Sequence, residues 1–223
     1  MIKKYEITGF ENVVERINKP ITKFGGQPIW IREPQWPISS GWNNRQMMFI
    51  GQIALTKNML GNKEDLMLYI FVTHPESYED TFFDPDVTEW NGGENAVIIQ
   101  PTNINNCEIC SMKEGPALFD EFNNKIEYIP IMREAYDPEF ISDEEYRKLD
   151  SLQQSKYFEA VDTNKIGGVP NFFRGDAWPE GEWILLLQLK CNFLPFELRL
   201  GDMPLLYVFI SKDFKKAGLL IQD

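Results

Sequence analysis

The sequence predicts an α+β protein, predominantly antiparallel β, built as two pseudo-symmetric β-rich halves with a few helices. Three observations carry that prediction. One motif occurs twice at a constant offset: Lys23-Phe24-Gly25-Gly26-Gln27-Pro28 followed by Trp36-Pro37, and Lys165-Ile166-Gly167-Gly168-Val169-Pro170 followed by Trp178-Pro179. Three further segments then match in the same order. Phe49-Ile50-Gly51-Gln52-Ile53 meets Leu186-Leu187-Gln188-Leu189, Leu68-Tyr69-Ile70-Phe71-Val72 meets Leu206-Tyr207-Val208-Phe209-Ile210, and Ala96-Val97-Ile98-Ile99-Gln100 meets Gly218-Leu219-Leu220-Ile221-Gln222. Finally, these segments are short and nearly continuous in Leu, Ile, Val, Phe and Tyr, which suits strands covered on both faces rather than buried helices.

Each part of the repeated unit has a local reason. Gly-Gly lets the backbone turn through positive φ without a Cβ clash. The proline two residues later fixes φ and begins an extended stretch. Trp-Pro closes that stretch, because the residue before a proline is pushed out of the helical region. The copies span about 23–101 and 165–222, with an insertion and a bridging helix at about 102–160 between them. Nothing in between reads as a flexible linker, so residues 1–223 are expected to form one compact domain. Residues 9–18 are expected to form a short helix. In the insertion, 107–112 and 125–132 read as extra strands or a hairpin, broken by Asn123-Asn124 and Gly115-Pro116. Ser142-Asp143-Glu144-Glu145 has the spacing of a capping box and opens a helix over roughly 142–158, with Tyr146, Leu149 and Leu152 at helical spacing.

The totals exclude several classes of function. Acidic residues outnumber basic ones 34 to 22, a formal charge of −12, and a surface of that sign repels nucleic-acid backbones and anionic lipid. No apolar run approaches the length of a signal peptide or a membrane span. Three cysteines make no secreted disulfide framework. A soluble cytoplasmic protein is expected.

Residues able to carry chemistry are few. Cys107 and Cys110 form a CxxC, yet a structural zinc site needs four ligands and the rest of the chain offers Cys191 and a single histidine, His74. His74 precedes Pro75 at the end of an apolar strand and reads as a surface residue there. No Gly-x-Ser-x-Gly elbow and no phosphate-binding glycine loop occurs. Gln52 and Gln188 interrupt apolar strands. Each must find hydrogen-bond partners, either by tying its strand to a nearby backbone turn or by lining a pocket between the copies. The stretch 76–94 is acidic and without Lys or Arg. Within it Asp84-x-Asp86-x-Thr88 begins like a calcium loop but lacks the required glycine and terminal glutamate. It reads as a solvated loop, with weak cation binding or docking of a basic partner as the functional alternatives. Trp30, Trp36, Trp42 and Trp90 together with carboxylates would suit a sugar site, but Trp36 has a counterpart in Trp178 and Trp30 in Phe172, which favours core.

Gly25-Gly26-x-Pro28, Trp36-Pro37, Met48-Phe49-Ile50-Gly51-Gln52-Ile53, Leu68-Tyr69-Ile70-Phe71 and Gly93-Glu94-Asn95-Ala96-Val97-Ile98-Ile99-Gln100-Pro101 resemble the bacterial YwqG-like family, a domain of unknown function. The second copy fits the same pattern, except that 194–200 stands where that pattern has a Gly/Asp-rich loop. The resemblance implies a mainly antiparallel β-rich protein and no established activity, cofactor or catalytic residue. The leading expectation is a non-enzymatic module that binds another protein with a basic surface, through Gln52, Gln188, Asp84, Asp86, Trp90, Glu94 and Asn95. The alternative is a carboxylate-dependent hydrolase or sugar-binding protein using the 84–95 loop. No metal and no cofactor is expected, and the oligomeric state is not legible.

Overall fold

A computed structural model describes residues 1–39, 41–42, 45–80, 84–90, 92–101 and 115–223. The chain is mostly antiparallel β. Its strands are β1 (Ile2–Asn12), β2 (Lys23–Gly25), β3 (Met48–Leu55), β4 (Leu66–Val72), β5 (Asn95–Pro101), β6 (Glu127–Asp137), β7 (Lys165–Gly167), β8 (Trp183–Lys190), β9 (Leu205–Ser211) and β10 (Ala217–Gln222). The helices are α1 (Asp143–Tyr146) and α2 (Ser151–Val161). All ten strands join one sheet in the order β10-β9-β8-β7-β1-β6-β2-β3-β4-β5, and every ladder is antiparallel. The sheet bends until it nearly closes. Its edge strands β5 and β10 lie side by side, and Ile221 N–H donates to the Thr88 carbonyl at 3.0 Å across the seam.

The near-continuous apolarity of the central strands follows from cover on both faces. Ile50, Ile53, Leu68, Ile70, Leu187, Leu189, Val208 and Ile210 point into one shared core. The opposite face of β3 and β4 presents Phe49, Met67, Tyr69 and Phe71 to Trp30 and Trp36 from the 27–37 segment. The opposite face of β8 and β9 presents Leu185, Tyr207 and Phe209 to Phe172 and Trp178. Gly25 and Gly167 sit at φ 74° and 77°, and a Cβ on Gly25 would lie 2.1 Å from the Ile126 carbonyl oxygen. The double glycine is therefore required where β2 and β7 end.

β1 and β6 pair with each other along their length, and each also carries a short strand: β7 on β1 and β2 on β6. Buried ion pairs mark these junctions. Lys23 Nζ meets the Glu127 carboxylate and donates to the Gln27 carbonyl at 2.6 Å. Lys165 Nζ donates to Asp137 Oδ2 at 2.7 Å and to the Val161 carbonyl at 2.8 Å, and Lys4 Nζ lies 2.8 Å from Asp137 Oδ1. Both Lys165 and Asp137 side chains are fully buried. Burial pulls the Lys165 ammonium down to about 8 against the attraction of Asp137, and burial likewise lowers Lys23.

Two expected helices need correction. Residues 9–18 contain no helix, because β1 runs to Asn12 and pairing with β6 overrides local propensity. The helix expected over 142–158 is two helices. Ser142 and Glu145 form the capping box expected of α1, but Asp150 and Gln153 form a second one and restart the helix as α2. The second apolar stretch of the insertion is β6, while 107–112 lies outside the described residues. Among the described residues, no helix is long and apolar enough to cross a membrane.

Candidate functional site

The glutamines serve as backbone ties. Gln52 Oε1 accepts from Ile29 N–H at 2.8 Å while its Nε2 donates to the Ile21 carbonyl at 2.8 Å. Gln188 Oε1 accepts from Asn171 N–H at 2.8 Å and its Nε2 donates to the Val161 and Thr163 carbonyls at 2.9 Å. Tyr69 and Tyr207 reach the same loops, donating to the Ile29 and Asn171 carbonyls. Gln100 and Gln222 accept from 31–32 and 173–174 in the same way. Replacing Gln52 with leucine therefore leaves a buried N–H and a buried carbonyl unpaired. Chemical denaturation should register a loss of about 2–4 kcal/mol.

The acidic stretch is less solvated than its composition suggests. Glu94 is 1% exposed. It accepts from Gly41 N–H at 2.8 Å and from Thr73 Oγ1 at 2.6 Å, pinning Gly41 to the end of β4. Asn95 Nδ2 donates to the Val87 and Glu89 carbonyls, and Asp84 accepts from Asp86 N–H at the start of a short 3₁₀ turn. Asp86 is exposed. Trp90 reaches across the seam, edge-on to Trp183 at 4.9 Å and 2.7 Å from the place a Gly218 Cβ would take. Glu94 and Trp90 are thus parts of the packing. Gln52 and Gln188 do not enter the wall of the cavity described next, nor do Asp84, Asp86, Trp90, Glu94 and Asn95.

That cavity, of about 600 Å³, opens where β4 ends and β3 begins. Three segments build it. Residues 37–39 and 45–47 are joined by Ser39 N–H to the Arg45 carbonyl and Met47 N–H to the Pro37 carbonyl. Residues 115–119 cross the start of β3, with Phe49 N–H donating to the Pro116 carbonyl at 2.9 Å and Gln27 bonding both backbone groups of Gly115. Residues 73–76 supply the third side. Trp42, Arg45, His74, Glu76 and Phe119 contribute to the wall.

His74 is 6% exposed, which corrects the expected surface position. Phe119 covers it edge-on at 5.8 Å, and the hairpin carrying Phe119 is far away in sequence. Its Nδ1 lies 3.2 Å from the Pro75 carbonyl oxygen. A carbonyl accepts only, so Nδ1 carries the proton. Burial pulls the imidazole down to about 4, and the ring is neutral at neutral pH. Nε2 therefore presents a lone pair, and it is buried with no hydrogen-bond partner among the described residues. Arg45 Nε stands 3.5 Å from Glu76 Oε1, and its Nη1 is 3.4 Å from the His74 carbonyl.

Aromatic and acidic groups also lie on the segments next to these wall residues. Trp42 is 40% exposed and donates its indole N–H to Asp84. Tyr78 N–H donates to Asn123 Oδ1, joining the 76–80 loop to the turn that holds Asp120, Glu121 and the 73% exposed Phe122. Arg199 lies over the Tyr78 ring at 4.5 Å and donates to the Asp80 carbonyl. One signal for this site is legible in the sequence: His74 is the sole imidazole. The two segments that bury it are remote and carry no motif.

No metal set is present among the described residues, where no three His, Cys, Asp or Glu side chains gather. Cys107 and Cys110 lie outside the described residues. Cys191 is buried, and burial pushes its thiol up to about 12, which removes it as a nucleophile. Comparison with curated proteins finds no match. A family model described as a domain of unknown function, DUF1963, matches residues 22–217, from the double-glycine turn to the start of β10. With most of the chain covered by that match, the protein belongs to the DUF1963 family.

Proposed function

We propose that this protein is a non-enzymatic binding module that holds a basic segment of another protein against the face around His74. One observation carries the reading: exposed Trp42, hydrogen-bonded to Asp84, lines a cleft with Glu76 and Phe119, and the joined 76–80 and 120–124 segments next to those residues carry exposed Tyr78 and Phe122 with Glu79, Asp120 and Glu121. Exposed aromatics are the side chains that anchor interfaces, and the carboxylates supply complementarity to Lys and Arg. The net charge of −12 acts in the same direction. Of the three carboxylates a hydrolase would draw on, Asp84, Asp86 and Glu94, the first and last hold neighbouring backbone and side-chain donors, and Asp86 is exposed.

The test is calorimetric titration with a short Arg/Lys-rich peptide and its Asp/Glu-rich counterpart. The basic peptide should bind and weaken with added salt, and Trp42→Ala should reduce affinity about tenfold. Equal binding of both peptides, or of neither, overturns the reading.

We also infer that the two strand sets descend from one duplicated unit of the YwqG-like kind, at 23–101 and 165–222 in a single domain of a bacterial cytoplasmic protein. Support comes from the matching ties of Gln52 and Gln188, Tyr69 and Tyr207, and Gln100 and Gln222. At the strand end matching His74 in the sequence alignment the second set carries Ser211 and Lys212, which line a cavity of their own, of about 400 Å³. Superposing β2–β5 on β7–β10 tests the duplication, and failure of the four strands to align would remove it.

A further inference from the structure

We infer that the cavity between the two helices and the 170–176 segment binds a small quaternary ammonium compound of choline size. The site is separate from the His74 face and does not rest on the function proposed for it. Its volume of about 230 Å³ is below the roughly 300–1,000 Å³ usual for drug-sized ligands, so one small molecule is the fitting occupant. Six aromatic side chains contribute to the wall: Phe140, Tyr146, Tyr157, Phe158, Phe172 and Phe173. Hydrogen bonds hold the segments that carry them. Ile141 N–H donates to the Tyr157 hydroxyl at 3.2 Å, and Gln154 Nε2 joins α2 to α1 through the Tyr146 and Leu149 carbonyls. Asp143 N–H lies 3.1 and 3.2 Å from the two Asp176 oxygens, which ties α1 to the 170–176 segment. Trp178 braces Phe140 and Phe172 edge-on at 5.5 and 5.6 Å. Rings packed for stability alone would close on one another, but here Phe158 and Phe173 stay exposed beside an open space.

Charge and hydrogen-bonding capacity select the ligand. None of the wall residues is Lys, Arg or His. The two wall carboxylates differ in their partners. Asp143 is matched by Arg147 at 2.7 Å, whereas Asp176 accepts from a neutral backbone donor and has no ion-pair partner among the described residues. One negative charge is thus left uncompensated beside the rings, which disfavours an anion. A primary ammonium or a guanidinium would bring several N–H donors to a wall made mostly of ring carbon, and unmet donors are costly. A quaternary ammonium brings none. Its charge is spread over its methyl groups, and the ring quadrupoles and Asp176 attract it together.

The test is calorimetric titration of the protein with choline and with 3,3-dimethylbutanol, which keeps the shape but has carbon in place of the charged nitrogen. Choline should bind, and the uncharged analogue should bind about tenfold more weakly. Phe173→Ala removes an exposed ring and should weaken choline about fivefold with the melting temperature unchanged. Asp176→Asn, which keeps the shape of the side chain, should weaken choline and leave the uncharged analogue unaffected. No binding of choline, equal binding of the two compounds, or full affinity in both variants overturns the inference. A peptide bearing one trimethyllysine is the third ligand, and tighter binding of it than of choline overturns the small-molecule occupant in favour of a modified side chain.

Discussion

Replacing Asp137 with alanine is expected to remove about 3–5 kcal/mol of folding stability, read as a fall in the urea midpoint. Asp137 is fully buried at the end of β6 and stands between two ammonium groups, Lys165 at 2.7 Å and Lys4 at 2.8 Å. It also accepts Val169 N–H at 2.9 Å, fixing the chain just after the second double glycine. Alanine strands two buried cations and a backbone donor at once. The carboxylate is the group that raises the Lys165 ammonium, so its loss drives that amine further down. A second substitution separates lost charge pairing from lost packing. Adding Lys165→Met to Asp137→Ala should restore part of the stability, because it removes one of the unpaired charges. A double variant no more stable than Asp137→Ala would show that the damage is not electrostatic.

Trp30→Ala should cost a similar amount, about 3–5 kcal/mol, and lower the melting temperature by on the order of 10 °C. Trp30 has no exposed surface. Its ring lies 4.4 Å from Tyr69 and 6.0 Å from Phe71, closing the outer face of β3 and β4. Its indole N–H is buried without a partner among the described residues. Trp30→Phe removes that unmet donor along with some volume, so its expected cost is about 1 kcal/mol. A phenylalanine fills a comparable place on the outer face of β8 and β9, where Phe172 packs 5.5 Å from Tyr207. Differential scanning calorimetry of the two variants checks both values. Equal losses for alanine and phenylalanine would contradict the account.

What could be read in the sequence was whatever is fixed within a few residues or within one strand. The positive φ of Gly25 and Gly167, the capping box at Ser142 and the two-faced burial of β3, β4, β8 and β9 all follow from local composition. The glutamine ties were legible as a need for partners, and the structure names those partners. The long ladders of β1 were not legible, since its polar alternation gains meaning only beside β6 and β7. His74 was misread for the same reason. Strand-end histidines lie at the surface unless something covers them, and the cover here comes from Phe119 on a distant hairpin. Trp90 also looked like a site residue because its partners Trp183 and Gly218 lie across the seam.

The place of β1 between β6 and β7 has a consequence for synthesis of the chain. This strand leaves the ribosome well before its partners, since both of its ladders are formed with residues made much later, and Lys4 bonds Ala160, 156 positions further on. Such distant pairing carries a large loop-closure cost and folds slowly. Until most of the chain exists, β1 is an orphan with two open edges. Lys3, Lys4, Glu6 and Glu11 place charge along it, which discourages pairing with other nascent chains during the wait. The same Lys4 that keeps the waiting strand soluble is then buried against Asp137 as the sheet closes, so one residue serves as guard before folding and as lock after it.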